Sequence, residues 1–71
     1  MKLKDVLEKL ISIKKPVLLV AGTNEWEADN LLVQLEERNL NREVYVNDYY
    51  IAEMKPDGYL GTLLYKFKAK A

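Results

Sequence analysis

The sequence predicts one small α+β domain that spans residues 1–71, and three observations support this class. Apolar residues recur at helical spacing through residues 3–13, as in an amphipathic helix. A short apolar run, Val17 to Ala21, then lies between a proline and a glycine, which is typical of a strand covered on both faces. Residues 43–68 are rich in β-branched and aromatic types interrupted by turn signals, which indicates further strands.

Two helices are predicted. The first spans residues 3–13 and ends before Pro16, because the residue that precedes a proline is driven out of the α region. The second runs from Asn24 to Arg38, since Asn24 with Glu27 three residues later forms a capping-box pattern. Its buried stripe is expected to consist of Ala28, Leu31, Leu32 and Leu35.

Three strands follow in the prediction, over residues 43–46, 49–54 and 59–68, and residues 69–71 are expected to fray. Asn47-Asp48 is predicted to form a two-residue hairpin turn, and residues 55–58 a turn that uses Pro56 and Gly58. The complete order is α-β-α-β-β-β. Its strand-helix-strand portion suggests a parallel crossover, so we expect a mixed four-stranded sheet with both helices packed on one face.

The composition limits the classes of function. Eleven basic residues balance eleven acidic ones, which removes any bulk electrostatic attraction to nucleic acid or to an anionic membrane. No apolar run approaches the length of a membrane span, and the charged opening lacks the apolar core of a signal peptide. The absence of cysteine favours an intracellular setting, so we expect a cytoplasmic protein.

Catalytic chemistry is not expected. The chain lacks histidine and cysteine, and with them the commonest general base and two common metal ligands. Glu25 and Asp29 lie one turn apart on the predicted second helix, where they could share a hard cation or divide acid and base roles, although compensation of the helix dipole in a solvated turn is favoured. Gly22 alone does not satisfy the spacing of a phosphate-binding loop. We therefore predict no enzymatic activity, no metal, no cofactor and no small-molecule substrate.

One face of the predicted sheet has no chain left to cover it. A two-residue turn at Asn47-Asp48 places Tyr45 and Tyr50 on the side opposite the helices. Extending this register into the last strand adds Leu64, Lys66 and Lys68 to the same side. Large exposed apolar patches mark contact sites, so these residues are the candidate partner-binding surface. The alternative is that the tyrosines are ordinary strand residues whose rings lie half exposed.

Two features of this prediction have a second interpretation. Trp26 is a second candidate anchor for a partner, although packing against the sheet or the first helix is favoured. Lys66 and Lys68 beside tyrosines also resemble a platform for single-stranded nucleic acid, although lysines that protect an edge strand from aggregation are favoured. A slip of one residue in the hairpin would exchange the two faces.

The opening LKDVLEKL resembles the start of many small phage- or prophage-encoded accessory proteins of bacteria. The resemblance covers the first helix only and implies a role in binding and modulating another macromolecule, a class that includes anti-CRISPR proteins. The expected function is thus a non-enzymatic protein-interaction domain, in the form of a phage-type modulator or inhibitor. The alternatives are a module that binds single-stranded nucleic acid and a homodimeric structural protein.

Overall fold

The computed structural model describes residues 1–70. This part of the chain contains five strands and three helices. In chain order they are α1 (Leu3–Ser12), β1 (Val17–Ala21), β2 (Asn24–Trp26), α2 (Ala28–Gln34), α3 (Glu37–Leu40), β3 (Val44–Val46), β4 (Tyr50–Met54) and β5 (Leu60–Ala69). The strands form one open sheet in the order β2-β1-β5-β4-β3, and every pairing is antiparallel. The α+β class is therefore confirmed, with one more strand and one more helix than predicted.

The predicted start of the second helix is wrong, because residues 24–26 pair with β1 as β2. Gly22 and Thr23 form a two-residue turn, and Gly22 has φ +63°, as in hairpin turns that place glycine at the first central position. The helix begins only after Glu27 and is interrupted at Leu35, whose backbone is extended. The short α3 then follows as a separate turn of helix.

The predicted parallel crossover is also wrong, since β1 and β3 are not neighbours in the sheet. The β2 hairpin returns the chain beside β1, and the other edge of β1 pairs with β5 in antiparallel register, for example Val20 with Lys66. The sheet is therefore antiparallel throughout and not mixed. This pairing continues to Val17 and Ala69, and the Lys70 N–H donates to the Pro16 carbonyl. The prediction that residues 69–71 fray includes Ala71, which lies outside the described residues.

The β3–β4 turn lies one residue later than predicted, with Asn47 paired to Tyr50. The Asn47 N–H donates to the Tyr50 carbonyl at 3.1 Å, and the Asn47 Oδ1 accepts from the Tyr50 N–H at 2.9 Å. Val46 consequently pairs with Ile51, whereas the prediction pairs it with Tyr49. The register differs by two residues, so Val44 to Val46 and Tyr50 to Met54 keep their predicted faces, because strand side chains alternate with a period of two.

The hydrophobic core lies between the helices and one face of the sheet. α1 presents an apolar stripe at helical spacing, and α2 contributes Leu31. The fully or nearly buried members of this core are Leu3, Val6, Leu7, Leu10, Leu19, Leu31, Val44 and Ile51. Leu40 of α3 also packs against this core, and α1 contacts both other helices.

The chain start and the end of α1 have defined hydrogen bonding. The Met1 carbonyl accepts the Val44 N–H, and the Met1 amino group donates to the Glu43 carboxylate at 2.8 Å, which lowers the pKa of Glu43. At the other end of α1, Lys14 has φ +52°, and the N–H of Lys15 donates to the Leu10 carbonyl in a Schellman arrangement.

No helix within residues 1–70 has the length and apolar content needed to cross a membrane.

Candidate interaction surface

The sheet side that faces away from the helices is called the open face. Strand register places Leu18, Val20, Tyr45, Tyr50, Ala52, Met54, Leu60, Leu63, Lys66 and Lys68 there. Cross-strand pairs bring these residues together, including Tyr45 with Ala52 and Tyr50 with Lys66. The predicted grouping of Tyr45, Tyr50, Lys66 and Lys68 on one side of the sheet therefore agrees with the register of the structure.

Two tyrosines are in contact at the β3–β4 side of the open face. The rings of Tyr45 and Tyr50 lie 6.2 Å apart between centroids and are tilted by 48°, a contact between neighbouring strands on one face. Ala52 is only 3% exposed although no helix lies over it. Its small side chain is cross-strand neighbour to Tyr45 and Leu63, which are large enough to shield it. The open face thus has a small central residue with larger apolar groups around it.

A β-bulge interrupts the alternation of β5 beside Leu64. Ile51 pairs with Tyr65, but the next residue, Ala52, pairs with Leu63, so Leu64 is the extra residue of the bulge. Leu64 is partly buried and packs against the hydrophobic core, and it also lines a depression with Val20 and Lys66 of the open face. Leu63, the cross-strand partner of Ala52, lies on the open face and is 44% exposed.

A second irregularity in the same hairpin shapes the end of the open face. The pairing skips from Ala52–Leu63 to Met54–Leu60, so β5 has another extra residue near Gly61. A Cβ at Gly61 would lie 3.1 Å from the Glu53 Cβ, which explains why this strand position has no side chain. Glu53 in turn forms an ion pair with Arg42. Leu60, which precedes Gly61 in β5, is 47% exposed.

The lysines of β5 and Lys70, which follows the strand, do not share one environment. Lys68 Nζ donates to Glu25 at 2.8 Å, and Lys70 forms an ion pair with Glu27. Lys66 pairs across strands with Val20 and Tyr50 but has no ion-pair partner within residues 1–70. Such exposed pairs contribute little stability, yet they neutralise the charge at the β2 side of the sheet.

Trp26 lies apart from the other predicted anchors. It is on β2, opposite Leu19, and packs half buried against the core on the helix side. Its ring meets Tyr65 edge to face, with centroids 5.8 Å apart and an angle of 89° between the rings. Burial raises the pKa of Tyr65, an effect that the nearby Arg42 opposes. This geometry corresponds to the packing interpretation of Trp26.

The two carboxylates considered for chemistry do not form a pair. Glu25 lies on β2 and binds Lys68, whereas Asp29 lies in the first turn of α2 and accepts the Asn30 N–H at 2.8 Å. The predicted spacing of one helical turn is wrong because Glu25 is in a strand. Within residues 1–70, no three histidine, cysteine, aspartate or glutamate side chains are grouped so that they could hold a metal ion.

Comparison of the chain with protein-family models, curated proteins and solved structures found no match. Its function is therefore inferred from the geometry of the open face and from the charges around it.

Proposed function

We propose that the chain is a non-enzymatic protein-interaction domain that binds a protein partner through its open face. The observation that supports this function is an uncovered sheet face with two tyrosine rings in contact and with Leu60 and Leu63 each nearly half exposed. Burying this apolar surface would gain about 25 cal/mol for each Å² removed from water. Contiguous apolar surface of this kind is a feature of contact sites.

The charge distribution favours a protein over single-stranded nucleic acid. A nucleic-acid platform holds successive phosphates with free basic groups beside its aromatic rings. Lys68 of β5 and Lys70 just after it are instead paired with carboxylates of this chain, so Lys66 alone lies beside the tyrosine pair without an ion pair among the described residues. A partner with a largely apolar surface suits this arrangement. A phage-type modulator or inhibitor would act in the same way, by covering a surface of another protein.

The test compares two adjacent tyrosines that differ in position. Tyr50→Asp introduces a charge into the open face, whereas Tyr49→Asp introduces the same charge at a turn residue that is 75% exposed and lies outside this face. Proteins retained from a native-host lysate by the immobilised wild-type chain are identified, purified and titrated against all three forms. We expect Tyr50→Asp to weaken binding about tenfold or more, while Tyr49→Asp binds like the wild type.

Circular dichroism of each variant establishes that the fold is retained. A purified partner that binds Tyr50→Asp as tightly as the wild type would contradict the proposal. Self-association is detected by light scattering as twice the mass of one chain, and loss of that mass in Tyr50→Asp would identify a second copy as the occupant. Binding of a labelled single strand that weakens steeply with salt and in Lys66→Glu would replace the protein partner by nucleic acid.

A further inference from the structure

The helix side of the sheet is not closed at the end where α1 approaches the β3–β4 turn. Phe67 lies on β5, between β1 and β4, and its side chain faces the helices, yet it is only partly buried. Ile13, just beyond α1, is 55% exposed. Between them is a groove of about 280 Å³. The core is therefore accessible from solvent at this end.

The groove has apolar walls and an aromatic residue among them. One wall is formed by residues of α1 and its C-cap that are three or four positions apart and so share one side of the helix. They are Val6, Lys9, Leu10 and Ile13. The opposite wall is the end of β3 and the turn that follows, with Val46 and Asp48. Met1, Lys15, Asn47 and Phe67 complete the lining.

The charges around the groove are unequal. Lys9 and Lys15 are exposed lining residues on the helix side, and neither forms an ion pair with another residue in the described part of the chain. Asp48 is the single acidic lining residue and lies on the turn. Two ammonium groups and one carboxylate beside an apolar surface give a net attraction for an anion that also has an apolar body.

We propose that this groove binds a small anionic amphiphile, namely a carboxylate with a short aliphatic body. The aliphatic body contacts Phe67 and Ile13, and the carboxylate lies at Lys9 and Lys15, on the side away from Asp48. A volume of about 280 Å³ is just below the range of drug-sized ligand sites, which begins near 300 Å³, so the body is that of a medium-chain acid and not of a drug-sized molecule. This site lies on the opposite side of the sheet from the open face and is independent of it.

The test is a titration of the ¹⁵N-labelled chain with octanoate, followed by amide chemical shifts. We expect saturable shifts in the second half of α1, in residues 46–48 and at Phe67. Octylammonium and octanol have the same aliphatic body with a cationic or neutral head group. Octylammonium is expected to bind about tenfold more weakly than octanoate, and octanol is expected to fall between them.

Two variants test the role of the lysines. Lys9→Glu combined with Lys15→Glu is expected to weaken octanoate binding about tenfold or more. Lys4→Glu makes the same kind of charge change on α1 outside the groove and should leave binding unchanged. Octylammonium affinity equal to that of octanoate, shifts confined to the open face, or shifts that do not saturate would each overturn the proposal. Tyr50→Asp should bind octanoate normally, which separates failure of this site from failure of the open face.

Discussion

The two faces of the sheet are built from the same strands but have different surroundings. Leu18 and Leu19 are consecutive in β1, yet Leu19 is fully buried under the helices while Leu18 is partly exposed on the open face. The covered face is a continuous hydrophobic core that α1 and α2 complete. The open face has only side chains of neighbouring strands to cover it. Folding energy from apolar burial is therefore concentrated on one side, and the other side retains apolar surface for contact.

The aromatic residues of both faces are only partly buried. Branched aliphatic residues such as Val44 and Ile51 take the fully buried positions of the covered face, where their rigid shapes pack without polar groups. The open face has Tyr45 and Tyr50, whose rings combine an apolar body with a polar tip and tolerate partial exposure. Within residues 1–70 no buried side-chain nitrogen or oxygen lacks a hydrogen-bond partner, so the open face holds no buried polar side chain that a partner would have to satisfy.

The largest expected effect compares the two leucines of β1. Leu19→Ala removes a fully buried side chain from the core and should lower the free energy of unfolding by about 2–5 kcal/mol. Leu18→Ala removes the same atoms from the open face and should cost about 1 kcal/mol or less. Urea denaturation followed by circular dichroism measures both values. Equal losses would mean that the open face contributes to folding as much as the covered face.

A smaller effect is expected where β5 passes close to β4. Gly61→Ala places a Cβ 3.1 Å from the Glu53 Cβ. The Glu53 Cβ is bonded directly to the main chain and therefore has little freedom to move away. We expect a loss of about 1–2 kcal/mol in the free energy of unfolding, together with displacement of Glu53 from Arg42. Glu53→Ala keeps the Cβ but removes the carboxylate oxygen, which lies nearest to the added methyl, so the double variant should lose less than the sum of the two single variants. Additive losses would show that the contact with the Glu53 carboxylate is not the cause.

Sequence reasoning placed the tyrosines correctly for a physical reason. The pattern of Val44, Tyr45 and Val46 alternates, so any register that differs by an even number of residues leaves Tyr45 on the same face. The turn was placed one residue too early, which moved the register by two residues and left the faces unchanged. The first helix was equally predictable, because its apolar stripe and the proline after it both depend on local sequence.

The missed features depend on how the strands pair, which local residue patterns do not determine. Asn24 and Glu27 satisfy a helix-capping pattern locally, but β1 has two edges to pair, and the Gly22 turn lets residues 24–26 pair with one of them. The bulge at Leu64 is not visible in the alternation of β5 either. Gly61 within a strand was the available signal of an irregularity, since glycine there often marks a bulge or a close approach of chains.

The smallest expected effect strengthens the covered face alone. Lys14 adopts φ +52° at the end of α1, in a position of the Schellman arrangement where glycine has no Cβ penalty. Lys14→Gly should therefore raise the free energy of unfolding by about 0.5–1 kcal/mol, part of the gain being offset by the greater freedom of glycine in the unfolded chain. Lys15→Gly is the matched control, because Lys15 has no positive φ and should gain nothing. Urea midpoints give the stabilities, and amide shifts of Tyr45, Tyr50 and Leu63 should stay unchanged in both variants. A gain in Lys14→Gly with an unaltered open face would show that the helix layer can be stabilised without changing the surface proposed to bind a partner.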